Sequence, residues 1–115
     1  MIEYIAVENI FRKDDSISFK DSEGDKYQLY IKHHLDKDII KFTFQLNYLY
    51  CKIKCDEDYE AMINLGSVTL KSEYFKKIVL DLRTFIRETF DKNDLKISDS
   101  TLSKIMIIFE CEFGG

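Results

Sequence analysis

The pattern that most restricts this chain lies between residues 27 and 46. Tyr27, Leu29 and Ile31 alternate with Gln28, Tyr30 and Lys32; after the polar break Asp36-Lys37-Asp38 the alternation resumes as Ile40, Phe42, Phe44 and Leu46 against Lys41, Thr43 and Gln45. A side-chain period of two belongs to extended chain with one dry face and one wet face. A helix through the same residues would scatter its apolar side chains around the whole axis. Two such runs flanking a break of hairpin length predict an antiparallel pair.

The same reading extends to both sides. Strands are expected at roughly 2–11, 16–20, 27–34, 39–46, 48–55 and 60–70, joined by polar stretches such as Lys13-Asp14-Asp15 and Asp21-Ser22-Glu23-Gly24-Asp25. Apolar parity changes twice along the way. Even positions through Leu46 give way to Leu49, Cys51, Ile53 and Cys55, which predicts a turn or bulge near Asn47. Ala61, Ile63 and Leu65 give way to Val68 and Leu70, which predicts a bulge at Gly66.

From Ser72 the period becomes 3.6. A long helix is expected over about 72–91, with Ser72 as N-cap, Glu73 near the positive end of the helix dipole, and Phe75, Ile78, Val79, Leu82, Ile86 and Phe90 in one stripe. Some 20 residues at ~1.5 Å each give about 30 Å, enough to cross a sheet of several strands. After the polar stretch at Asp91, alternation at Ile105, Ile107, Phe109, Cys111 and Phe113 predicts a closing strand over about 103–113, with Met106 and Ile108 on its outer side. The expected fold is therefore a single α+β domain over 1–115. It has an antiparallel meander of six to seven strands, one long amphipathic helix packed across one face, and a C-terminal strand.

Composition agrees with one modest core: 115 residues, 45% hydrophobic and 33% charged. The longest apolar runs, such as Ile105 to Phe109, fall far short of the ~20 residues that cross a bilayer. Met1-Ile-Glu-Tyr is unlike a secretory leader, and three cysteines in no paired framework fit a reducing compartment, so a cytoplasmic location is expected. A net charge of −4 is too mild to mark a polyanion binder or mimic. Only three of the 17 basic residues are arginine, which disfavours recognition through bidentate guanidinium contacts.

Candidate chemistry is sparse. His33 and His34 are consecutive, so in a strand they point to opposite faces and cannot share a metal ion. Cys51 and Cys55 share parity but lie ~13 Å apart in extended chain, too far for a disulfide. Asp56, Asp58 and Glu60 resemble the start of a calcium loop, yet Ala61 stands where the turn glycine belongs and Ser67 where the bidentate acid belongs. No Gly-rich phosphate loop, nucleophile elbow or zinc spacing occurs, so no catalytic residue, cofactor or metal is expected.

The wet face holds the stronger signal. Tyr30, Lys32, Lys41, Tyr48, Tyr50, Lys52 and Lys54 would lie side by side if adjacent hairpins pair in order, giving a net-acidic chain one aromatic and basic face. Tyrosines anchor protein interfaces, and lysines between them steer an acidic partner. The same set can stack the bases of single-stranded nucleic acid, while the plainer reading is a soluble strand surface. The acidic turns 21–25 and 56–60 form a competing surface suited to a basic partner.

In size and layout the chain resembles the stand-alone immunity or inhibitor proteins of bacteria and phages, and that resemblance implies occlusion of a toxin or defence enzyme without catalysis. The ending Phe113-Gly114-Gly115 resembles that of ubiquitin-like modifiers and sulfur carriers, which implies activation of a terminal carboxylate; that family, however, places its helix after the first hairpin. A homo-oligomer through Leu80, Met106 and Ile108 is a further expectation.

Overall fold

In a computed structural model, the described backbone comprises residues 2–8, 14–21, 25–54 and 57–114, and the described side chains residues 16–19, 25–49 and 62–114. Strands β1 (Ile2–Glu8), β2 (Asp14–Asp21), β3 (Lys26–Asp36), β4 (Ile39–Lys54) and β5 (Glu57–Ser72) precede helices α1 (Phe75–Lys92) and α2 (Asp99–Phe113). The five strands form one sheet in chain order, and every neighbouring pair is antiparallel. The α+β class and the antiparallel meander are as expected, with fewer strands and one more helix.

The strand count falls because the segments read as 39–46 and 48–55 are one 16-residue strand. A register shift does fall beside Asn47: Leu46 pairs with Gly66, and Asn47 with Asn64. The extra residue, however, is Leu65 on β5, next to the glycine where a bulge was expected. Strand β4 therefore runs on without changing parity.

Helix α1 begins three residues later than the periodicity implies. Ser72 ends β5 instead of capping the helix, and its Oγ accepts a hydrogen bond from the Tyr74 backbone N–H at 3.0 Å. The expected stripe is otherwise observed: Ile78, Leu82, Ile86 and Phe90 are buried, and Phe75, Val79 and Phe85 pack against them. The helix closes through a 6→1 bond from Leu95 N–H to Phe90 C=O at 2.8 Å and a 5→2 bond from Asp94 N–H to Asp91 C=O at 3.1 Å. Asp94 takes the left-handed conformation, φ 56°, that this Schellman reversal requires.

The predicted C-terminal strand is a helix. Ser98 caps it, its Oγ accepting from Thr101 N–H at 3.1 Å, and Asp99 occupies the first turn. Buried Leu102, Ile105, Met106 and Phe109 follow helical spacing, while Ile107 and Cys111, which a strand would have buried, are exposed. Aromatic packing favours this outcome. The Phe109 ring stacks on Phe75 at 5.3 Å and meets Phe42 and Phe44 edge-on at 5.2 and 5.5 Å. Both helices thus seal one face of the sheet. Gly114 follows a helix instead of a strand and caps it, its N–H donating to Glu110 C=O at 2.8 Å; Gly115 lies outside the described residues.

Candidate functional site

Register decides which side chains meet on the face away from the helices. Directly opposed residues in antiparallel strands share a face. Tyr30, Gln45 and Ser67 therefore form one row across β3, β4 and β5, Lys32, Thr43 and Thr69 the next, and His34, Lys41 and Lys71 the third. The alternate residues Ile31, Phe42 and Phe44 are buried beneath the helices, so these rows lie on the outer surface.

At the β3–β4 hairpin end this surface is open and basic. Lys32, His34, Lys41 and Lys71 are exposed and surround the Thr43 and Thr69 hydroxyls, which lie 3.3 Å apart. With strands ~4.8 Å apart and alternate residues ~6.8 Å apart, the three lysines spring from within about 12 Å of one another. Lys32, His33, His34, Lys41 and Thr43 line a shallow depression of about 220 Å³. Asp14 on β2 is the acid nearest in register, directly opposite Lys32, and Asp36 lies at the hairpin tip. Farther along the same face, Ser16 and Asn47 are buried.

The expected tyrosine cluster is divided. Tyr48 pairs with Tyr27 on the helix side, with ring centroids 5.5 Å apart, and its hydroxyl donates to Asp25 at 2.9 Å. It cannot share a surface with Tyr30, Lys32 and Lys41, because β4 keeps its parity past the bulge. The side chains of Tyr50, Lys52 and Lys54 lie outside the described residues. Their backbones pair with Ala61, Tyr59 and Glu57, beyond the last β3–β4 pair at Lys26 and Leu49, in a two-stranded extension of the sheet. Of the acidic turns, Asp25 is described in full; the side chains at 21–24 and 56–60 are not.

His34, Thr43, Thr69 and Lys71 were not among the expected site residues. The signal for Lys71 was available, since it alternates with Val68 and Leu70 on the wet side of β5. His33 and His34 do face opposite ways: His33 stacks on Phe42 at 5.7 Å, whereas His34 pairs with Lys41 on the outer face. Among the described residues no cluster of three or more His, Cys, Asp or Glu could hold a metal ion, and no helix is long and apolar enough to cross a membrane. No family model matches the chain, and no curated protein or solved structure is significantly similar to it.

Proposed function

We propose that the chain is a non-enzymatic protein-binding module that lays the hairpin end of its outer sheet face on an acidic surface of a partner protein. In the fullest form of this reading the partner is a toxin or defence enzyme, and the module inhibits it by covering its working surface. The observation that carries it is the cationic patch itself: three lysines from three adjacent strands, fixed in register around Thr43 and Thr69, in a chain of net charge −4. Such local asymmetry raises the encounter rate with an acidic partner and disfavours wrong ones.

A protein is preferred over single-stranded nucleic acid because stacking needs successive exposed rings. Tyr30 is half-buried, and Tyr48 is on the other face.

The test begins by using the native chain and a Lys41→Glu/Lys71→Glu variant as bait in extract from the source cells. The protein retained by the native chain is purified and titrated with both. A tenfold or greater rise in Kd for the variant is expected. Equal affinity for both baits would overturn the proposal, as would saturable, lysine-dependent binding of a mixed-sequence oligonucleotide at low salt.

A further inference from the structure

The helical layer carries a seam on its solvent side, with two exposed apolar residues at its middle and charged residues at both ends. At one end Arg87 donates to Asp99 at 2.6 Å, joining the C-terminal half of α1 to the start of α2. At the other end Phe75, Lys76, Val79 and Leu80 of α1 share a depression of about 460 Å³ with Glu110 and Gly114. The helices are therefore antiparallel. Leu80 lies seven residues before Arg87, ~10.5 Å of helix, and Ile107 eight residues after Asp99, ~12 Å, so the two sit level at the middle of the seam. Both are open to water, Leu80 at 65% and Ile107 at 60%. Leu80 was expected in such a contact; Met106 is buried, Ile108 is half-buried against the core, and Ile107 takes the exposed place because α2 is a helix.

We infer that this seam is an isologous interface with a second copy of the chain, forming a four-helix layer between two sheets. The charge pattern identifies the occupant. Along the edge of α1 that Arg87 marks, the positions run Lys76, Leu80, Arg83, Arg87; along the facing edge of α2, from the same end, they run Glu110, Ile107, Ser103, Asp99. Lys76 and Glu110 enter no ion pair among the described residues. A two-fold axis parallel to the seam lays α1 of one copy on α2 of the other. Lys76 then meets Glu110, Leu80 meets Ile107 and Arg87 meets Asp99, each contact occurring twice. The other in-plane two-fold, perpendicular to the seam, would set Lys76 against Arg87 and Glu110 against Asp99. Like charges disfavour it, so the sequence of charges selects one arrangement. The outer sheet face stays free, and this inference does not depend on the proposed partner.

Sedimentation equilibrium decides the matter. The native chain is expected to be a dimer at micromolar concentration. Lys76→Glu and Glu110→Lys should each weaken it at least tenfold, and Leu80→Lys should abolish it, while circular dichroism shows all three folded. An equimolar mixture of the two charge variants should restore the dimer, since one chain then presents two acids and the other two bases. A native chain that is monomeric to 100 µM would overturn the inference, whatever else the seam binds. So would a dimer unaffected by the single reversals.

Discussion

Strands β3 and β4 present two chemistries one residue apart. On the helix side, Leu29, Ile31, Phe42, Phe44 and Leu46 are buried; on the outer side, Lys32, His34 and Lys41 stand in water. Both sets hang from the same hydrogen-bonded ladder, so strand geometry does not distinguish them. What differs is the cover: α1 and α2 lie across one face only. Stability should therefore reside in the aromatic layer under the helices, and recognition in the residues that alternate with it.

The largest effect tests the covered face. Phe109 is fully buried and touches Phe42, Phe44, Phe75 and Phe113. Phe109→Ala removes these contacts and leaves a cavity, and should cost about 3–5 kcal/mol. Urea unfolding followed by circular dichroism measures it. A loss below about 1 kcal/mol would mean that α2 contributes little to the seal.

A smaller effect tests how closely the helices lie. A Cβ on Gly66 would stand 3.1 Å from Thr89 Cγ2 and 3.3 Å from its Oγ1. Thr89 is buried and has little room to yield. Gly66→Ala should lose about 1 kcal/mol despite its entropic advantage in the unfolded chain. Adding Thr89→Ser, which deletes the nearer methyl, should recover part of that loss.

The outer face should respond in the opposite sense. Lys41→Glu/Lys71→Glu should leave the unfolding free energy within about 0.5 kcal/mol of the native value, although it removes the cationic patch. A large loss would erase the distinction between the faces and make the lysines structural.

This contrast also explains what could be read from the residues alone. Period-two alternation in β3 and β4 and the stripe of α1 reflect burial on a single side, and each was legible. Tyr48 was not, because the extra residue that resets the register is Leu65 on the neighbouring strand. Along β4 itself, Leu49 after Leu46 reads as a change of face, whereas Tyr48 stays on the side of Leu46. Helix α2 was misread because Ile105-Met106-Ile107-Ile108-Phe109 satisfies both periods, and β-branched residues favour the strand reading. The deciding signals were Ser98, whose hydroxyl caps the helix, and Asp99 beside it. The cationic patch was legible in part, through Lys32 and Lys41; Lys71 joined it only once β5 was placed next to β4.

The smallest expected effect belongs to the Arg87–Asp99 ion pair, which joins the helices. The Arg87 guanidinium, by hydrogen bond first and by charge second, holds the Asp99 carboxyl below its ordinary range. A depressed folded-state pKa stabilises the fold above the unfolded pKa, and that contribution disappears as pH falls through the folded value. With an unfolded value of about 3.9, the window lies below about pH 4. Both groups reach solvent, Asp99 more than Arg87, so salt should screen the pair. Urea midpoints of the native chain and of Asp99→Asn should therefore differ slightly at pH 7, draw together below pH 4, and approach each other in 0.5 M salt. A gap that ignores both pH and salt would show that Asp99 acts through its shape at the start of α2. The buried apolar layer would then hold the helices in place without help from this charge pair.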